Sequence, residues 1–121
     1  LGHRRAVRLP CRHQRMADLM VGDDALFFVV EDLISTGGSC IEVVDVLREA
    51  GAQVLGIASI FTYGLKKGLE RLSAANVKNI SLSNYDALIE AAIEENYIDK
   101  SQVEKLQAFR ANPSDPAWME L

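Results

Sequence analysis

The stretch Val29-Val30-Glu31-Asp32-Leu33-Ile34-Ser35-Thr36-Gly37-Gly38-Ser39 constrains this chain more than any other. It carries an apolar run into two adjacent acids, then into a glycine pair, then into a helical pattern. Ala25 to Val30 mixes β-branched and aromatic residues without alternation, which suits a strand buried on both faces, as in parallel sheets. Past the glycines, Ile41, Val43, Val44, Val46, Leu47 and Ala50 recur at helical spacing, and Gly51 stands where a left-handed cap belongs. Ser39 and Glu42 form an S-x-x-E pattern, which predicts a capping box that starts this helix at Ser39.

Gln53 to Phe61 predicts a second buried strand, so strand, loop, helix and strand make a βαβ unit. Tyr63-Gly64 then opens a shorter helix running to about Ala75, and Val77 to Leu82 offers a third strand. Asn84-Tyr85-Asp86 caps a helix with Leu88, Ile89, Ala92 and Ile93 on one face. Ser101 begins another with Val103, Leu106 and Phe109, and Asn112-Pro113 stops it. The alternation predicts an α/β fold, a mostly parallel sheet with flanking helices.

The chemistry of the eleven residues follows from their types. Ionised carboxylates only accept hydrogen bonds, so Glu31 and Asp32 at the mouth of a sheet suit the two vicinal hydroxyls of a ribose. They could also help hold a magnesium ion through water. Gly37 and Gly38 allow positive φ and let a ligand approach main-chain N–H groups. With the helix start behind them, and the hydroxyls of Thr36 and Ser39 as further donors, they suit a phosphate. The competing reading is a plain strand, glycine turn and capped helix. Two carboxylates at the end of an apolar strand weigh against it, because buried acids must be paired or solvated. A Walker loop is disfavoured because no lysine follows Gly38, and the dinucleotide G-x-G-x-x-G pattern is absent.

The Glu-Asp-x-x-x-Thr-Gly-Gly-Ser arrangement at a strand end resembles the signature of the type I phosphoribosyltransferases. Its wording from Glu31 to Ser39 resembles the orotate enzymes among them. The likeness runs on through Ile41-Glu42-Val43-Val44, Phe61-Thr62-Tyr63-Gly64-Leu65, Asn84-Tyr85-Asp86-Ala87-Leu88 and Asn112-Pro113-Ser114-Asp115-Pro116-Ala117-Trp118. It implies transfer of the ribose 5-phosphate unit of phosphoribosyl diphosphate to orotate, giving orotidine 5′-phosphate and pyrophosphate with Mg²⁺, in a homodimer. Glu31 to Ser39, including Leu33 and Ile34, would form the phosphoribosyl-diphosphate loop. Within it Glu31 and Asp32 would hold the ribose diol, Thr36 to Ser39 the 5-phosphate, and Ser35 would help bind orotate. No protein side chain is expected to ligate the metal directly, and no residue is assigned to the chemical step. The alternative is a truncated or non-catalytic module that only binds phosphoribosyl diphosphate.

The resemblance implies the type I fold without its amino-terminal part, because it starts near residue 25 and the family's lysine- and histidine-containing catalytic loop has no match here. Residues 1–20 read instead as an atypical basic segment, irregular or weakly helical, ahead of a domain at 21–121. Arg4, Arg5, Arg8, Arg12 and Arg15 lie in it without an acid before Asp18, whereas the whole chain of 121 residues carries a net charge of -4. An arginine-rich tail, or sequence from an abnormal start or out-of-frame translation, is the favoured account of that segment. It lacks the interleaved aromatics of a single-strand nucleic-acid surface, so no nucleic-acid partner is expected. No apolar run approaches the roughly 18 residues of a membrane helix, no secretory signal opens the chain, and Cys11 and Cys40 make no disulfide framework. A cytoplasmic protein is expected, and one that self-associates through the open edge of the Ala25–Val30 strand.

Several residues have bland readings. Lys66 and Lys67 read as solvated surface, Tyr63, Tyr85 and Tyr97 as packing on the sheet, and Trp118 as a core anchor for the tail. Cys40 sits at a helix start, where a thiol pKa can fall, but its apolar neighbours make it structural.

Overall fold

A computed structural model describes residues 4–9, 17–22 and 24–121, with backbone alone for 4–9 and 17–21. Its strands are β1 (Arg4–Leu9), β2 (Ala17–Gly22), β3 (Leu26–Ile34), β4 (Gln53–Thr62) and β5 (Asn79–Asn84). The helices are α1 (Gly38–Glu49), α2 (Lys66–Ala74), α3 (Tyr85–Glu94) and α4 (Val103–Ala111), with short 3₁₀ turns at Lys100–Gln102 and Pro116–Glu120. β3, β4 and β5 form one parallel sheet in that order. The α/β reading with a parallel sheet therefore holds.

The core lies between one face of that sheet and helices α1 and α2. Val29, Ile57, Val44, Leu47 and Leu72 are buried there, with Val44 at 0% exposure. β4 brings one polar side chain into this layer, Ser59, whose hydroxyl is satisfied by Asn79 and Ser81 on β5. α1 closes with a paired cap in which Gly51 N–H donates to Arg48 O and Ala52 N–H to Leu47 O. α2 repeats it, Asn76 N–H donating to Ser73 O and Val77 N–H to Leu72 O. This double bond pattern turns the chain through a left-handed residue and folds an apolar pair, Leu72 with Val77, back into the core.

Three expectations need correction. Residues 4–9 and 17–22 are not irregular: they pair antiparallel from Arg4 opposite Gly22 to Leu9 opposite Ala17. Neither run alternates apolar with polar residues, and backbone pairing does not depend on such a period. Residues 1–3 and 10–16 of the basic segment lie outside the described residues. Second, β3 does not stop at Val30. It continues to Ile34 because β4 runs alongside to Thr62, with Glu31 opposite Ser59 and Leu33 opposite Phe61. Third, the Ser39–Glu42 capping box does not form. The cap lies two residues earlier, at Gly37 with φ 77°, so Ser39 already lies inside the first turn and cannot cap it.

β3 stands at the edge of its sheet, as the open-edge expectation required. Tyr97 departs from the packing read for the tyrosines. It follows the left-handed Asn96 out of α3 and is 83% exposed.

Candidate functional site

The end of β3, the bend at Ser35 and Thr36, and the first turn of α1 make a single concavity. Leu33, Ile34, Ser35, Thr36, Gly37, Gly38, Ser39 and Cys40 line it, with a volume of about 240 Å³. Seven of the nine residues singled out from sequence, Leu33 to Ser39, thus surround one cavity. Gly37 makes the turn at φ 77°, a left-handed conformation that costs an L-residue roughly 1–2 kcal/mol. The first intrahelical bond runs from Ile41 N–H to Gly37 O at 3.1 Å. The amides of Gly38, Ser39 and Cys40 precede it, so helix geometry gives them no acceptor within α1. No acid stands in that first turn, and Ser39 is not engaged in a box, so the positive end of the helix is not neutralised by its own side chains.

The two acids sit differently from the strand-end picture. Because β3 runs on, Glu31 and Asp32 lie within a strand, where successive side chains leave on opposite faces. Glu31 is half-buried on the face that α1 covers, and Asp32 is exposed on the other. The Leu33 N–H donates to Asp32 Oδ1 at 2.7 Å. Glu31 reaches electrostatically to the start of α1: burial chiefly, and then its negative charge, push the Cys40 thiol above its ordinary pKa. Cys40 is 2% exposed and its Sγ donates to Gly37 O at 3.1 Å, so the structural reading of this cysteine stands.

α2 supports the loop from behind, and this contact was not singled out from sequence. Gly68 approaches so closely that a Cβ on it would lie 2.6 Å from the Ser35 carbonyl oxygen. Arg71 donates to Thr36 O at 3.4 Å, and Leu72 packs under Gly37. An isolated glycine inside a helical pattern was the available signal, since such a position usually marks close approach. Lys66 and Lys67 are exposed, Lys66 lying 3.9 Å from Glu70 as an i,i+4 pair. Both also line a larger cleft of about 580 Å³ between Thr36 and the end of α4 at Asn112 to Ser114.

The far end of β4 is joined to the carboxyl-terminal segments by a chain of rings. Phe61, Tyr63, Tyr85, Phe109 and Trp118 follow one another with centroids 5.2 to 6.4 Å apart. The Tyr85 hydroxyl donates to Leu106 O at 3.1 Å. Trp118 therefore packs the tail on Phe109 of α4 rather than into the core, because neither α4 nor the tail turn contains a buried residue. Among the described residues no three His, Cys, Asp or Glu side chains cluster in a way that could hold a metal ion. No helix among them is long and apolar enough to cross a membrane.

Comparison with known proteins adds relatives by sequence and by fold. The chain is 59% identical over 91 residues to an orotate phosphoribosyltransferase of Bacillus cereus, covering 75% of this chain and 43% of that protein. It is 58% identical over the same length to the enzyme of that name from Bacillus mycoides. No protein-family model matches the chain. In fold it resembles the UMP synthase of Leishmania donovani, with a TM-score of 0.62 at 22% identity over 74% of this chain and 21% of that one. It also resembles an orotate phosphoribosyltransferase from Aeropyrum pernix, at 0.58 and 20% identity, over 77% of this chain and 51% of the other. The chain spans less than half the length of the curated relatives it matches. Over those 91 residues the chain is similar to orotate phosphoribosyltransferases, and its parallel sheet with flanking helices has the type I phosphoribosyltransferase fold.

Proposed function

We propose that this chain is the phosphoribosyl-diphosphate-binding part of an orotate phosphoribosyltransferase. The reaction joins the ribose 5-phosphate unit to orotate, forming orotidine 5′-phosphate and releasing pyrophosphate. The observation that carries the reading is the 240 Å³ concavity built wholly from Leu33 to Cys40, at a helix start free of acids, in a chain 59% identical to enzymes of that name.

In this reading the amides and hydroxyls of Thr36 to Ser39 take the 5-phosphate, Glu31 and Asp32 accept hydrogen bonds from the ribose hydroxyls, and Ser35 meets orotate. As pyrophosphate leaves, the anomeric carbon gains positive character, so what this loop contributes is position: it fixes the sugar while the nucleophile approaches. Mg²⁺ fits as a partner of the ligand's diphosphate, supplying charge neutralisation to the leaving group. It keeps its own waters and needs at most one or two protein carboxylates. Glu31 and Asp32, on the strand that leads into the cavity, are the acids that would reach it through water. The setting we propose is a cytoplasmic homodimer.

The second reading is a module that binds phosphoribosyl diphosphate without turning it over. Mixing the purified chain with orotate, phosphoribosyl diphosphate and Mg²⁺, and following the loss of orotate absorbance, decides between them. Turnover supports the enzyme, and saturable binding without turnover supports the module.

A further inference from the structure

The last row of the sheet pairs Ile34 of β3 with Thr62 of β4, and Thr62 with Asn84 of β5. The next residues along the three strands are Ser35, Tyr63 and Tyr85. The loop residue assigned to orotate and two aromatic residues therefore leave the same edge of the sheet. It is the carboxyl edge, where parallel sheets bind their ligands.

Past that row a further main-chain bond ties β4 to β3, the Tyr63 N–H donating to Ile34 O at 3.0 Å. This carbonyl belongs to the peptide unit that enters Ser35. The unit that leaves Ser35 is the one whose oxygen Gly68 abuts. Two consecutive peptide planes are thus fixed, one by the end of β4 and one by α2, and between them they set both backbone dihedrals of Ser35.

Tyr63 itself lies beyond the ladder, in a turn where Gly64 takes φ 64° and its N–H donates to Thr62 Oγ1 at 3.2 Å. Its ring is what holds it. The ring meets Phe61 edge-on at 5.4 Å and 89°, and leans on Tyr85 at 5.8 Å and 40°. Tyr85 is buried and its hydroxyl donates to Leu106 O at 3.1 Å, so the surface behind Tyr63 is itself anchored. We infer that Tyr63 is a positioning residue for the ligand loop: the stacked rings aim its N–H at Ile34 O, and that bond holds Ser35 in place before any ligand arrives. The inference rests on the function proposed above for the loop. Ordering backbone during binding opposes affinity, so a loop fixed in advance binds more tightly than one that the ligand must order.

Two variants test it. Tyr63→Leu keeps an apolar side chain but removes both ring contacts, whereas Tyr63→Phe keeps them. Each is compared with the parent chain by residue-resolved hydrogen exchange without ligand, and by calorimetry of phosphoribosyl diphosphate with Mg²⁺. In Tyr63→Leu the protection of the amide at position 63 should fall about tenfold, which is what the loss of two aromatic pairs converts to. Affinity should fall by a similar factor, while amides of β3 and β4 before the last row keep their protection. Tyr63→Phe should match the parent chain in both measurements. Unchanged protection at position 63 in Tyr63→Leu overturns the inference, and so does lost protection with unchanged affinity. A Tyr63→Phe variant that behaves like Tyr63→Leu overturns it by giving the role to the hydroxyl. Protection lost throughout the sheet overturns it as well, because that marks a general loss of stability. A parent chain that does not bind the ligand contradicts the proposed function instead, and the exchange measurement still decides whether the ring fixes the bond to Ile34.

Discussion

The α carbon of Gly68 and the carbonyl oxygen of Ser35 are held so close that no side chain fits between α2 and the loop: a Cβ at Gly68 would lie 2.6 Å from that oxygen. Two effects oppose each other on replacing this glycine. Alanine gains about 1 kcal/mol of helix propensity, while overpacking against backbone costs typically 1–3 kcal/mol. The obstacle is a main-chain oxygen rather than a flexible side chain, so overpacking should win. Gly68→Ala should lower the urea midpoint of unfolding and weaken phosphoribosyl-diphosphate binding by displacing Ser35. A more stable variant that keeps its affinity would show that α2 does not set the loop.

The glycine pair should behave asymmetrically. At Gly37 the nearest atom to an added Cβ is Ile41 Cδ1 at 3.6 Å, so space is not the difficulty, but φ is 77° and Gly37→Ala should cost roughly 1–2 kcal/mol. At Gly38 the added Cβ meets the guanidinium of exposed Arg71 at 3.3 Å, which can swing away, so Gly38→Ala should cost much less. Paired chemical denaturation curves measure the difference, and equal losses would contradict this account of the turn.

Cys40 makes the fold sensitive to alkali. Burial, reinforced by the charge of Glu31, holds its pKa above the ordinary 9.0, so the unfolded thiol ionises first. The stabilisation is whole below the unfolded pKa and is lost as pH rises past 9 toward the folded value. Cys40→Ala should reduce that loss on the alkaline side, measured as the difference in unfolding free energy between neutral and alkaline buffers. An unchanged alkaline slope would mean the thiol is not the group responsible.

None of the residues of α4 is buried, so its docking rests on a few contacts. Phe109 stacks between Tyr85 and Trp118, the Tyr85 hydroxyl bonds Leu106 O, and Arg110 pairs with Asp86. Phe109→Ala removes the central ring of this set. Limited trypsin digestion should then cut readily at Lys100 and Lys105 while the sheet persists, as expected of a unit that opens locally. Resistance equal to that of the parent chain would contradict the ring chain as the anchor.

Much of this was legible in sequence, for reasons that differ by element. β4 and α3 were readable because an apolar run or a capping asparagine states its own boundary: the Asn84 side chain does accept from Ala87 N–H at 2.9 Å. The loop was readable because acids, glycines and hydroxyls each carry distinct chemistry. The end of β3 was not, since charged side chains at Glu31 and Asp32 read as a terminus although the backbone continues to pair with β4. The start of α1 was misplaced because Ser39 and Glu42 satisfy a local pattern that left-handed Gly37 pre-empts by two residues. The support from Gly68 and Arg71 lies more than thirty residues from the loop in sequence, and only tertiary packing brings it there.

In the proposed site the acids and the glycine turn act together on a phosphorylated sugar. Calorimetry of phosphoribosyl diphosphate with Mg²⁺, comparing the parent chain with the double variant Glu31→Gln/Asp32→Asn, addresses that most directly. Hydrogen bonds to charged groups contribute about 1.5–3 kcal/mol, and about 1.4 kcal/mol is tenfold in affinity. The double variant should therefore bind at least about tenfold more weakly with its fold intact. Equal affinity in the two proteins would contradict the assignment of the site.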